Sequence, residues 1–306
     1  MKAKNLLLLL LLASLWGPSF LLIKVAVIEI PPFTLAALRI AIAAVLINIY
    51  LLIKGEKFIR SFKFWKDVTI VGFFANALPF VLINWGEQYI DSALASILNA
   101  LTPLSTILLA GAMIKDERIN FEKMFGVFLG LLGLIILTSP NLSLEMVTTT
   151  QGIVAVSVAA VSYGMGVVYA RLHLKGTKPL HAPASQLLVT ALYMIPFSIF
   201  MDGPYQLSGL SGGAIASLLI LAIFGTVIAY MLYYRILESA SASYLSLVTY
   251  ILPIFGVFLG VVFLNESMYP EAIVGAIVIL LGVMIVNGTV KIKWIKTANT
   301  NQMKKC

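Results

Sequence analysis

Arg39 is a fixed cation set inside an apolar run, PFTLAALRIAIAAVLINIYLLI, from Pro32 to Ile53. Even lenient insertion scales put a buried arginine at about 2.5–3.5 kcal/mol, so its guanidinium needs a cavity, an anion or a nearby carboxylate. Its planar fork suits bidentate contact with a carboxylate or phosphate ligand. The bland alternatives are snorkelling to the membrane edge or pairing with Glu29, Glu87 or Asp91. Two polar stripes at helical spacing accompany it. One carries Phe73, Asn76, Phe80, Asn84 and Glu87; the other carries Ala95, Asn99, Thr102 and Thr106. They are echoed far downstream by Thr226, Tyr230 and Tyr234, and by Ser246, Thr249 and Pro253. Amide, hydroxyl and aromatic groups suit a wet pocket for a zwitterionic or aromatic metabolite. Interhelical hydrogen bonding, at ~0.6 kcal/mol for an average pair, is the competing use of such residues. The candidate substrate-binding set is Trp16, Arg39, Asn76, Phe80, Asn84, Asn99, Tyr163, Gln186, Tyr193, Tyr230, Tyr234 and Tyr250.

Other residues bear on mechanism. Pro103 and Pro253 lie inside apolar runs, where each removes a backbone donor and frees the carbonyl one turn earlier. Those carbonyls belong to Asn99 and Thr249, on the polar stripes, so the two prolines are candidate hinges. Acidic residues stay near the ends of the runs, which favours facilitated diffusion over proton exchange, since proton relays use intramembrane carboxylates or histidines. Glu87 is the candidate for proton coupling should a coupled cycle operate. His173 and His181 lack acidic or cysteine neighbours, and the single cysteine is Cys306, so neither a metal nor a cofactor is expected. There is no GxxxxGK[ST] nucleotide loop and no HExxH, which leaves ATP-driven transport and zinc hydrolysis without their usual parts.

The elements that must position these groups follow from composition. Hydrophobic residues make up 60% of the chain and charged ones 11%, with a mean hydropathy of +1.01. Soluble domains carry roughly 25% charge. The apolar residues fall into ten runs, each near the ~20 residues that a helix needs to cross ~30 Å of hydrocarbon. They are expected at about Leu6–Ile23, Pro32–Ile53, Val68–Trp85, Ser92–Ile114, Phe121–Thr138, Gly152–Ala170, Pro183–Met201, Gly213–Tyr234, Ala242–Phe263 and Ala272–Asn287. Helices are the natural choice, because lipid offers backbone groups no partner. The leucine-rich start resembles a signal peptide, yet the run continues past Trp16 to Ile23, and it is taken as a retained first span.

The runs repeat. Pro103, Glu117, Glu122, Gly126 and Gly133 answer Pro253, Glu266, Glu271, Gly275 and Gly282. Five spans separate corresponding elements, and five is odd, so the second copy enters the membrane upside down. Inverted repeats point to a secondary transporter with its site near the midplane. With the N-terminus placed in the cytoplasm, nearly every Lys and Arg falls on the cytoplasmic side, Lys24 and the intramembrane Arg39 being the exceptions. That is the positive-inside pattern. The net charge of +8 is therefore a topology signal, and no nucleic-acid partner is expected.

The motifs WGPSF at Trp16, FTLAALR before Ile40, LNALTP ending at Pro103, KDERIN from Lys115 and the spaced Gly126, Gly130 and Gly133 resemble those of the drug/metabolite transporter superfamily, specifically its EamA-type ten-helix permeases. The resemblance covers the whole membrane region. It implies an all-α membrane protein of ten transmembrane helices, arranged as two inverted five-helix repeats around a central cavity. It also implies that spans one to four and six to nine line that cavity, with the fifth and tenth peripheral. The halves are expected at residues 1–140 and 141–290, with a basic cytoplasmic tail at 291–306. What the resemblance implies for function is a bacterial inner-membrane exporter of amino acids or related metabolites, binding a small-molecule substrate and lipid, and acting as monomer or homodimer. An importer or exchanger of a nucleotide-like metabolite, or a membrane-embedded enzyme, stays open as an alternative.

Overall fold

A computed structural model describes residues 3–114, 120–138, 147–204, 208–239, 245, 247–267, 269–286 and 290. The KDERIN turn from Lys115 to Ile119, the start of the ninth span and the tail from Lys291 fall outside the described residues. What is described is helical throughout, in ten rods. They are α1 (Leu7–Ala26), α2 (Pro32–Ile53), α3 (Phe62–Gly86), α4 (Ser92–Met113), α5 (Phe121–Thr138), α6 (Val147–His173), α7 (His181–Asp202), α8 (Gly212–Glu238), α9 (Leu252–Leu264) and α10 (Pro270–Val286). Seven are long and apolar enough to cross a membrane. Large apolar side chains such as Phe128, Phe200 and Phe258 stay exposed along them, as lipid-facing residues do. Among the described residues α9 is shorter than the sequence suggests, preceded by a 3-10 turn at Leu247–Tyr250.

Pairing between rods follows an internal twofold relation. α2 packs on α7, α4 on α9 and α5 on α10, each against its own counterpart, while α1 packs on α8 as α3 packs on α6. Exchanging each rod for the one five places away reproduces the same set of partners. That is what two inverted repeats with interleaved helices must show. The chain is a ten-helix membrane protein built on this plan, and its buried apolar residues form two clusters, one including Ile47 and Leu187 and the other Leu98 and Leu221.

Breaks in the rods are equally paired. α4 stops at Asn99 and restarts at Thr102 with Pro103 in its first turn; α9 restarts at Leu252 with Pro253 in the same place. The stripe on α4 is thus divided between two helical pieces, where the sequence suggests one continuous helix. α3 and α8 each contain a π-turn, at Phe73–Ala77 and Ile223–Ile228.

The spaced glycines join α5 to α10. A Cβ on Gly282 would stand 2.5 Å from the Gly126 carbonyl oxygen, and one on Gly133 would stand 2.6 Å from the Ile279 amide nitrogen. Both obstacles are backbone, so neither can rotate aside. The glycine faces are therefore spent within one chain, on each other, rather than left free for a second copy. Replacing Gly282 by Ala is expected to cost roughly 1–3 kcal/mol through overpacking, read as a clear fall in melting temperature of the detergent-purified protein. An unchanged melting temperature would remove this seam from the list of close packings.

Candidate functional site

Trp16, Arg39, Phe80, Asn99, Tyr163 and Tyr230 come together on the wall of one central cavity. About 860 Å³ of space between atoms lies within it and in the open space at its mouth. Rods α1, α2, α3, α4, α6, α8 and α9 contribute to it, and α5 and α10 stay outside. α7 also contributes nothing to this wall, unlike what the family resemblance implies for span seven. The reason lies in how its polar residues are used. The Gln186 amide donates to Asn76 Oδ1 and its carbonyl oxygen accepts from the Tyr234 hydroxyl, while Asn76 Nδ2 donates to the Tyr230 oxygen at 2.8 Å. Asn76, Gln186 and Tyr234 thus form a buried network beside the cavity. Asn84 lies apart, donating to the Pro32 carbonyl at 3.0 Å. Tyr193 donates to Thr190 on its own helix, and Tyr250 ends the 3-10 turn before α9.

The interrupted helices explain why these side chains are where they are. Pro79 has no amide hydrogen to give to the carbonyls one turn earlier; in that turn the Ala75 carbonyl accepts the Tyr230 hydroxyl at 2.7 Å. The neighbouring carbonyl of Phe74 receives Ser162 from α6 at 2.8 Å. In the matching π-turn of α8, the Gly225 carbonyl accepts the Trp16 indole N–H at 3.0 Å and Arg39 Nη2 at 3.3 Å. Arg39 Nε also donates to the Thr226 hydroxyl at 2.9 Å, and the guanidinium carbon sits 4.0 Å from the centre of the Phe80 ring. Backbone left unpaired by one half is thus paired by side chains, several of them from the other half.

Arg39 is only 4% exposed. Its contacts use an edge of the fork and one face of the plane, and among the described residues it forms no ion pair. Of the expected carboxylate partners, Glu29 instead accepts from Ser211. The cavity wall around Arg39 is aromatic, with the Trp16 ring 6.3 Å from Tyr230 and 6.1 Å from Tyr233, and among the described residues no Asp or Glu belongs to it. Tyr233 is a wall residue missing from the sequence-based set. Its position three residues after Tyr230 on the same helix is the signal that could have found it. Ser19 and Thr249 also line the wall, and the buried Ser19 hydroxyl has no hydrogen-bond partner among the described residues.

Glu87 follows the last residue of α3, in the tight turn before α4, and is fully buried with both carboxyl oxygens unpartnered among the described residues. Lys24 lies close, but its ammonium donates to the carbonyls of Glu87 and Ile90, each at 2.7 Å. Burial pushes the Glu87 carboxyl well above its ordinary range, the Lys24 and Arg39 charges pull it back, and Glu266 adds to the rise. A carboxyl whose folded-state pKa is raised supports folding below the unfolded value of about 4.3 and loses that support as pH climbs through the raised one. Glu87→Gln keeps the shape and cannot ionise. Its melting temperature is expected to fall less than the parent's as pH rises above about 4.3. Parallel curves for the two proteins would show that Glu87 does not titrate in this range.

A bundle of inverted halves around a partly aromatic cavity with one buried cation defines a membrane carrier for small molecules. The comparisons agree. Residues 3–139, and again 150–288, match the EamA-like transporter family, and the chain belongs to that family. It is similar to an "Uncharacterized transporter" of Archaeoglobus fulgidus, 28% identical over 281 residues that cover 90% of this chain and 96% of the relative. The transporter YoaV of Bacillus subtilis is 25% identical over 277 residues, 89% of this chain and 92% of that one. A solved crystal structure shares the fold with a TM-score of 0.68 at 19% identity, spanning 94% of this chain and 98% of the other. The protein is a multi-pass membrane transporter of small molecules.

Proposed function

We propose that the protein exports amino acids or closely related metabolites across a bacterial cytoplasmic membrane by alternating access, with both termini cytoplasmic and residues 1–140 and 141–290 acting as the two halves. The observation that carries this reading is Arg39, a buried cation on the cavity wall that forms no ion pair among the described residues. A buried charge left without a counterion is costly, and a substrate carboxylate supplies one through a charge-assisted, bidentate contact. Asn99, Thr102 and Thr249 on the wall offer acceptors for an ammonium group. The rings of Trp16, Phe80, Tyr230 and Tyr233 offer flat apolar surface to a side chain. The orientation rests on the one-sided distribution of Lys and Arg. Pro103 and Pro253, beside the matched breaks in α4 and α9, serve as the hinges of the cycle.

Arg39→Ala is expected to reduce counterflow of a panel of amino acids in proteoliposomes by about 100-fold or more, consistent with losing two charge-assisted bonds. The variant's size-exclusion profile should match that of the parent. Flux within twofold of the parent would take Arg39 out of the substrate site.

A second reading, exchange of substrate for protons, draws on the buried and unpartnered carboxyl of Glu87. Imposing a pH gradient across the same proteoliposomes separates the two. Under uncoupled movement, flux follows the substrate gradient alone; under exchange, the pH gradient accelerates flux in the parent and not in Glu87→Gln.

A further inference from the structure

Three carboxylates tie the two halves together at one end of the bundle, each by capping a helix at its amino end. Asp202, ending α7, accepts the Thr34 amide at 2.7 Å and its hydroxyl at 2.8 Å, at the start of α2. Glu29, after α1, accepts the amide and hydroxyl of Ser211, which itself caps α8. Glu266, after α9, accepts the Ser92 amide at 2.8 Å on one oxygen and the Ala93 amide at 2.9 Å on the other. Each supplies acceptors to donors that helix geometry leaves open, and each places negative charge at the positive end of a helix dipole.

The Glu266 contact differs from the others in what it joins. α2, the helix held by Asp202, runs unbroken from Pro32 to Ile53, and α7 is likewise one continuous helix. α4 is severed after Asn99, and the helical part of α9 starts afresh at Leu252 behind a 3-10 turn. The piece from Ser92 to Asn99 is thus a helical segment of its own. It carries Asn99, on the cavity wall, at its far end. Its seam with α9 is tight: a Cβ on Gly256 would be 2.1 Å from the Ser96 hydroxyl, and one on Gly260 would be 2.2 Å from Glu266 Oε2. Asn265 takes up a left-handed conformation, φ 54°, and closes α9 so that Glu266 turns back onto this seam.

We propose that Glu266 is the latch of this end of the cavity: its carboxylate holds the Ser92–Asn99 piece against α9 in the closed state, and opening toward this side requires that it let go. The proposal rests on the alternating access proposed above and does not depend on which metabolite is carried.

The test is a distance measurement on the full chain in lipid nanodiscs, without substrate. Cys306→Ser removes the native thiol. Spin labels then go on Asp91→Cys, exposed at the head of the Ser92–Asn99 piece and making no side-chain cap bond, and on Phe263→Cys, exposed at the end of α9. The parent is expected to show mainly the short, closed distance. Glu266→Gln, which loses the charge and one of the two acceptors, should raise the population of a longer distance about tenfold. Ser92→Pro removes the donor to Oε1 from the other side, at a helix position where proline is well tolerated, and should act in the same direction. Asp202→Asn serves as the control: it lowers melting temperature as any lost cap does but leaves the distance unchanged. Distances in Glu266→Gln and Ser92→Pro that match the parent would overturn the proposal. So would equal lengthening in Asp202→Asn, which would mark Glu266 as one more structural cap. Should Glu266→Gln fail to fold, the Ser92→Pro distance decides alone.

Discussion

Lipid gives a backbone carbonyl nothing to bond with, and the rest of this structure depends on how that constraint is met at the places where helices stop being regular. A continuous helix meets it internally. This chain departs from continuity at the π-turns of α3 and α8 and at the breaks of α4 and α9. Freed carbonyls at the two π-turns are found by side chains from elsewhere: Tyr230 and Ser162 on α3, Trp16 and Arg39 on α8. At the loop after α3, Lys24 serves the carbonyls of Glu87 and Ile90. The polar residues of the bundle are therefore first of all repairs to backbone, and the cavity sits among the repairs. That is why the cavity coincides with the most irregular part of the fold.

The same constraint explains the symmetry of the irregularities. A repeat inherited twice carries its interruptions twice, so each break in one half has a counterpart in the other. The partners, however, have diverged. Pro79 follows the turn whose Ala75 carbonyl accepts Tyr230, whereas the corresponding turn in α8 has no proline and is held by Thr226, whose hydroxyl bonds back to Leu221, and by Arg39. One half therefore solves the problem with neutral tyrosine and serine, the other with a cation. Among the described residues the charge of the cavity wall comes from one half only, which gives an otherwise pseudo-symmetric cavity a polarity.

Much of this was legible in the sequence, and the part that was not has a physical reason. Ten apolar runs of bilayer length, an internal repeat and an odd number of spans between copies are enough to specify inverted halves. The glycines of the fifth and tenth spans read as a packing face, though only coordinates show that α5 and α10 spend it on each other. Arg39 stood out because a charge in an apolar run must be explained. The stripes were less informative. Asn76, Phe80 and Asn84 share a helix face at the level of spacing, yet Phe80 reaches the cavity, Asn76 pairs with Gln186 and Tyr230, and Asn84 serves the Pro32 carbonyl. The π-turn just before Pro79 changes the angular relation between residues on either side of it, so a count at 3.6 residues per turn loses the face there. Periodicity also cannot separate an amide facing water from one facing another amide, since both are polar positions on the same helix.

What distinguishes the residues of the wall from those of the network is therefore unspent bonding capacity rather than polarity. Gln186 uses both its amide nitrogen and its oxygen on neighbours, so it has little left for a ligand, whatever its place in the repeat. Arg39 has five donors in its fork and directs Nε and Nη2 to protein acceptors. Ser19 has a buried hydroxyl with no hydrogen-bond partner among the described residues. Counting donors and acceptors in this way separates structure from function more sharply than hydrophobic pattern does. It also turns attention to Glu87, whose two unpartnered oxygens lie one short turn from the helix end that Glu266 holds. Burial first, and then the nearby Glu266 charge, raise the Glu87 carboxyl, while Lys24 opposes them.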